Sequence, residues 1–247
     1  MRCTVIIQNR LGLLEGVETL MAQENRLNLV SNNLANADTT GFKKENVTFW
    51  EMLYKASDKR DRVGKAARVI TNHQAGSAEQ TGNPFDLAIN GKGFFRIQTP
   101  QGLRYSRAGN FLRNAQGQIT TGNGDLLLGQ GGAITVQGSK VSIGSDGTIL
   151  VDGQIIDQVA IADFDSMADL EKEGSNLFRL KEGATKEKAA ENFELRQGYL
   201  ETSNVNSVEE MTEMIDLYRA YEAQQKIVRT VDELDDLAVN RVGKLTA

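Results

Sequence analysis

The 247-residue chain carries 28 Lys and Arg against 33 Asp and Glu, a formal charge of −5, with 40% apolar residues. That length allows one large domain or two modest ones, and the acidic balance argues against a chain-wide basic surface for nucleic acid. One cysteine, Cys3, and one histidine, His73, exclude a disulfide framework, a multi-cysteine zinc site and the metal motifs that need two histidines.

No run approaches the roughly 18 consecutive apolar residues of a membrane span. The opening residues lack a basic segment followed by an apolar stretch and a small-residue cleavage site, so a cleaved secretory signal is not expected. From about Leu11 to Ala37 the spacing predicts a helix. Leu13, Val17, Leu20, Glu24, Leu27, Ser31 and Leu34 advance by alternating steps of four and three, giving a narrow apolar seam. The polar run Asn36-Ala37-Asp38-Thr39-Thr40 and then Gly41 can close it, glycine being favoured where φ turns positive. Beyond it, Lys55, Lys59, Arg60, Arg62, Lys65 and Arg68 form a basic stretch interrupted by Asp58 and Asp61. It reads either as a solvated linker or as a contact loop for an acidic neighbour such as the helix of another subunit.

Glycine is unevenly placed: 15 of the 24 lie between Gly82 and Gly153, and none from Tyr199 through Val242. A β-rich centre between helical ends follows, because glycine suits turns and weakens helices. Phe94–Gln98 and Leu103–Arg107 flank the turn Thr99-Pro100-Gln101-Gly102, and Phe111–Arg113 and Gln118–Thr120 flank Asn114–Gly117. Val141–Ile143 and Thr148–Val151 flank Ser145-Asp146-Gly147, with Asp152-Gly153 as the next surface turn. Hairpins at this spacing predict short antiparallel strands in a sandwich or barrel.

The C-terminal helix should begin near Ser207, where Glu210 three residues on completes a capping-box pattern. Leu217, Ala220, Gln224, Ile227, Val231, Leu234 and Ala238 form one seam, with Met214, Tyr218, Tyr221, Gln225 and Val228 beside it. Two adjacent seams call for more than one neighbour. The expected class is α+β: terminal helices, 1–40 and 205–247, paired in a coiled-coil-like bundle, a connecting segment 41–74, and a β-rich central domain 75–204.

Candidate chemistry is sparse. His73 stands in the polar run Thr71-Asn72-His73-Gln74 and reads as an exposed loop residue. Gly91-Lys92-Gly93 and Gly122-Asn123-Gly124 lack the further residues of a dinucleotide or phosphate loop. Asp163-Phe164-Asp165 is half of a calcium loop without its remaining ligands. Catalytic residues, metal and cofactors are therefore all expected to be none, with no nucleic acid and no small-molecule substrate as partner.

Two segments carry more than periodicity. Ser31-Asn32-Asn33-Leu34-Ala35-Asn36-Ala37-Asp38-Thr39-Thr40-Gly41-Phe42-Lys43 resembles the N-terminal signature of flagellar rod and hook proteins. Leu200-Glu201-Thr202-Ser203-Asn204-Val205-Asn206, continuing to Glu210-Met211 and Tyr218-Arg219-Ala220-Tyr221-Glu222, resembles that family's C-terminal signature. Between them, Thr81–Gly91 and Tyr105-Ser106-Arg107-Ala108-Gly109-Asn110-Phe111 are similar to its central motifs.

The resemblance implies a non-enzymatic axial subunit of the bacterial flagellum. Such a subunit leaves through the flagellar export apparatus without a cleaved signal and assembles with copies of itself and other rod and hook-type proteins. Its terminal helices would line an inner tube and its β domain an outer layer. The short link between Lys55 and Gly82 is closer to a proximal rod subunit than to the longer distal one. The residues expected at assembly contacts are Leu13, Leu20, Leu27 and Leu34 on one helix and Leu217, Ile227, Val231 and Leu234 on the other. Asn32, Asn33, Asn36, Asn204 and Asn206 either end the helices or bond between subunits. The competing reading is a soluble carbohydrate-binding protein or hydrolase with helical oligomerisation arms.

Overall fold

The structure is a computed structural model describing residues 2–55, 61–174, 176–185 and 187–244, with side chains placed for 15–48, 68–174, 176–185, 187–234 and 236–237. The protein is α+β: helix α1 (Arg2–Ala35), a β-rich centre, and helix α2 (Ser207–Lys244). The chain divides into two compact units, one of 1–35, 45–70 and 206–247 and the other of 36–44 and 71–205.

In the first unit α1 packs on α2, as the apolar periodicity requires, but in the alternative phase of the three–four spacing. On α1, Leu20, Leu27 and Leu34 are partly buried as expected, whereas Val17, Glu24 and Ser31 are exposed. Their places in the seam go to Gly16, Gln23 and Val30, the last 4% exposed. On α2, Leu217, Gln224 and Val231 face inward with Met214, Tyr221 and Val228, while Ala220, Ile227 and Leu234 face outward.

The physical reason lies at Gly16. A Cβ there would stand 3.2 Å from Val228 Cγ2, so the missing side chain makes room for Val228 and sets the phase. The side chains of Leu13 and Ala238 lie outside the described ones. The stretch expected as a plain connector holds a two-stranded ribbon, β1 (Glu45–Lys55) and β2 (Asp61–Thr71). Of the basic residues there, 56–60 lie outside the described residues, as do the side chains of Lys55, Arg62 and Lys65; Arg68 is exposed.

In the second unit the central strand Phe94–Thr99 pairs antiparallel with Gly102–Ser106 along one edge. Along its other edge it meets Leu126–Gly129 and Ile161–Asp163. The turn between the first pair is the expected one, with Gly102 at a φ of 111°. Alternation distributes the phenylalanines to opposite faces. Phe95 and Ile97 enter a core with Leu87, Ile89, Phe111, Ile119 and Leu127. Phe94 enters a second core with Tyr105, Phe164, Leu170 and Phe178. The two ends of the unit zip together: Leu87–Gly91 pairs with Phe193–Gln197, and Ala78–Gln80 with Tyr199–Glu201. That closure carries Glu201 to the base of the sheet.

Asp152 is less neutral than a surface turn suggests. Its φ is 51°, and its carboxylate accepts from the Lys140 and Ser139 amides at 3.0 and 3.4 Å. Asp152→Ala should cost about 1–2 kcal/mol, from a strained left-handed backbone and lost bonds. Thermal unfolding of the variant checks it, and an unchanged midpoint would contradict it.

Candidate functional site

The sequence motifs of the second unit meet at a buried charge cluster that composition did not reveal. Lys43, Arg107 and Glu201 are 1%, 6% and 3% exposed. Lys43 Nζ donates to Glu201 Oε1 at 2.5 Å and to the Gln74 carbonyl at 2.7 Å. Arg107 Nη1 donates to Glu201 Oε2 at 3.3 Å and the Ile89 carbonyl at 3.1 Å, and Nη2 donates to the Gly91 carbonyl at 2.7 Å. The Gly76 amide adds a third donor to the carboxylate at 3.0 Å. The guanidinium also stands 5.3 Å from the Phe94 ring centre. Beside them, Lys172 Nζ lies 3.7 Å from the Phe42 ring centre and donates to the Lys43 carbonyl at 3.0 Å.

Local geometry explains why these residues reach one point. Gly41, at a φ of 66°, turns the chain after α1, and a Cβ there would fall 2.3 Å from the Ala108 amide nitrogen. Gly41 donates its amide to the Glu201 carbonyl at 2.8 Å, which lays Phe42 and Lys43 across the base of the sheet. Gly109 fits equally tightly, its absent Cβ 1.7 Å from the Leu87 carbonyl oxygen.

Burial drives the Lys43 ammonium and the Arg107 guanidinium below their usual values, while the Glu201 charge pushes both back up. A lysine with a lowered pKa can serve as a nucleophile, but this one has no route to substrate. The cluster instead ties five chain segments together, at Lys43, Gln74–Gly76, Ile89–Gly91, Arg107 and Glu201, and removing one partner would leave a buried charge uncompensated.

His73 is a correction. It is half-buried, its ring 5.9 Å from Phe94 and 5.3 Å from Phe178, not on an open loop. The Lys43 ammonium at the site explains why this polar tetrapeptide turns inward: Gln74 contributes its carbonyl. Burial first, then the charges of Lys43, Arg107 and Lys172, hold the imidazole down at about 4. The unfolded chain binds a proton below pH ~6.5 and the folded one only below ~4, so stability should fall as pH drops through that window. His73→Phe should flatten this loss, worth about 2 kcal/mol. The midpoint difference between variant and parent should therefore shift by several degrees from pH 7 to pH 4.5, and a pH-independent difference would refute it.

Asn33, Asn36, Asn204 and Asn206 bond within the chain. In the first unit Asn33, 1% exposed, exchanges two bonds with the Glu45 backbone, at 2.9 and 3.0 Å, and donates to Glu210 Oε2 at 3.2 Å. In the second, Asn204 accepts from the Lys44 amide at 2.7 Å and donates to the Asn72 and Gln74 carbonyls. Asn36 accepts from the Thr39 hydroxyl, and Asn32 is exposed. Asn206, not Ser207, caps α2, its Oδ1 accepting from Val208 and Glu209. The capping-box reading fails because the Glu210 side chain is fully buried and turned to Asn33. Asp163 accepts from the Phe164 amide, and Asp165 pairs with Lys188. No helix among the described residues is long and apolar enough to cross a membrane.

The pairing of Lys43, Arg107 and Glu201 escaped notice although each sits inside a quoted motif, and Glu210 reads by sequence as a cap and not as a buried partner of Asn33. A charged residue embedded in an otherwise apolar or small-residue motif was the available signal.

A helix pair with outward apolar residues and a β unit whose buried charges hold its own chain segments define a structural subunit. Comparison with known proteins specifies which. Residues 13–43 match the family "Flagella basal body rod protein", 88–151 the "Flagellar hook protein FlgE/F/G D1 domain", and 196–241 the "Flagellar basal body rod FlgEFG protein C-terminal". The chain is 34% identical to the flagellar basal-body rod protein FlgG of Bacillus subtilis, over 93% of this chain and 98% of that one. It is also 34% identical to FlgF of Caulobacter vibrioides, over 95% of this chain and 98% of the relative. The chain belongs to the flagellar basal-body rod family. It is a structural rod subunit of the basal body and not an enzyme, assembling with other axial flagellar proteins. The carbohydrate-binding or hydrolase reading finds no support in these relationships.

Proposed function

We propose that the chain polymerises through its terminal helices into the shaft that carries torque from motor to hook. In this reading α1 and α2 pair in a coiled-coil-like manner along the inner tube, and the β unit forms an outer layer. Copies of the chain stack head to tail, and a contact that does not close generates a helical array. Export through the flagellar type III apparatus without signal cleavage completes the account. A proximal position fits the short link between Lys55 and Gly82.

The observation that carries the proposal is the second apolar face of α2. While Leu217 is buried against α1, Val208, Met211, Ile215, Tyr218, Ile227, Leu234 and Leu237 are each more than half exposed. Such a face wants a further helix or strand over it. The assembly contacts proposed on α2 are Ile227 and Leu234, with Leu217 and Val231 supporting the helix pair beneath. On α1, Leu20, Leu27 and Leu34 play the supporting part, and Leu13 extends that series by sequence alone. The test is the composition and density map of basal bodies purified from a flagellated cell whose only copy of this protein is the present chain. Its helices should be found lining the rod channel, and its absence from the rod would reject the proposal.

A further inference from the structure

On the first unit a groove of about 570 Å³ runs beside α2, and its walls combine carbon with unbalanced charge. Val208, Leu217 and Ala220 supply apolar surface, and Glu209, Glu213 and Asp216 supply carboxylates; the opposing α1 contributes Arg26. Arg26 is held by Glu213 at 2.5 Å. Glu209 and Asp216 are exposed and have no ionic partner among the described residues. The groove therefore favours an extended segment with both apolar and cationic side chains.

The same unit displays such a segment elsewhere. At the end of β2, Arg68 is exposed, and Val69 and Ile70 are 48% and 47% exposed. By sequence, Arg62 and Lys65 add positive charge on the same strand. Among the described residues β2 pairs only with β1, and a two-stranded ribbon is marginal in water without a further contact. Among the described residues, none of the ribbon lines the groove of its own molecule.

We propose that the α2 groove receives the Arg68-Val69-Ile70 end of β2 from a second copy of this chain. This rests on the polymerisation reading above and names the two surfaces that meet. Arg68 pairs with Asp216, and Ile70, two residues on and on the same face of the strand, covers Ala220. The contact is heterologous, one surface giving and a different one receiving, so each added copy presents a fresh groove to the next.

The test places the photocrosslinker p-benzoylphenylalanine at Thr212, which lines the groove, in cells carrying the chain as their sole copy. Illuminated basal bodies should yield an adduct at twice the 27.1 kDa chain mass. Mass spectrometry should place the bond within 62–70 of the second copy. Asp216→Lys should cut adduct yield about tenfold by setting like charges together, and Arg68→Glu in the same chain should restore it. An adduct to another protein, to another segment or within one chain overturns the proposal, as does a yield indifferent to charge reversal. If the chain is present in the rod without the adduct, only this inference falls; if it is absent from the rod, the polymerisation reading falls with it.

Discussion

Glu201→Ala should lower the thermal midpoint of the β unit by roughly 10–15 °C, the largest single-residue effect expected in the molecule. The substitution leaves Lys43 and Arg107 buried at 1% and 6% exposure without their shared carboxylate, Arg107 keeping only the weaker influence of Asp163. Breaking a buried pair from one side costs about 3–5 kcal/mol, which in a domain of this size corresponds to such a shift. Glu201→Gln should recover little, because an amide keeps the volume but not the charge. Replacing all three members, Lys43→Met with Arg107→Met and Glu201→Leu, should recover much of the loss, since a packed apolar cluster removes the desolvation burden. Differential scanning calorimetry on the four proteins decides. A Glu201→Ala midpoint within about 3 °C of the parent would show that water or neighbouring groups satisfy the two cations.

The same cluster bears on how the β unit is cut. Segment 36–44 belongs to it although residues 45–70 separate that segment from the rest in sequence. A fragment of 71–205 alone would lack both Lys43 and the Gly41 amide that meets the Glu201 carbonyl. It should therefore resist protease less well than the full chain does over the same residues. Limited proteolysis of the two, side by side, measures this, and equal resistance would show that the N-terminal motif is dispensable for the unit.

Local rules made much of this legible. Turn residues placed the central hairpins because Pro100 and Gly102 fit few other backbones, and helix periodicity placed α1 and α2. What periodicity did not fix was phase. Alternating steps of three and four from Leu217 can pass through Ile227 or through Val228, and both are apolar. Gly16, on the other helix, admits Val228, so the choice is a tertiary one. The charge cluster was hidden for a related reason. Lys43, Arg107 and Glu201 are far apart in sequence, and only the closure of 78–91 on 193–201 brings them together. His73 misled because its neighbours in sequence are polar, whereas its neighbours in space are Phe94 and Phe178.

Phase also separates two classes of helix mutant. Ile227 and Leu234 are 56% and 58% exposed, so alanine at both removes little buried surface from the subunit. Ile227→Ala with Leu234→Ala should leave thermal unfolding within a degree or two of the parent, as exposed substitutions usually do. In a polymer the same pair of side chains is missing at every contact, and each buried methyl-bearing side chain contributes about 1.5–3 kcal/mol. Rods should therefore fail to complete and motility should be lost. Leu217→Ala acts the other way: at 8% exposure it leaves a cavity between α1 and α2 and should cost about 2–5 kcal/mol in the subunit itself. Its helices should become protease-sensitive before any question of assembly arises. Swimming in soft agar and limited proteolysis, read together, distinguish the two. A motile double mutant with normal rods would mean that the outward face of α2 carries no contact, and the assembly proposed for these helices would have to be rebuilt on another surface.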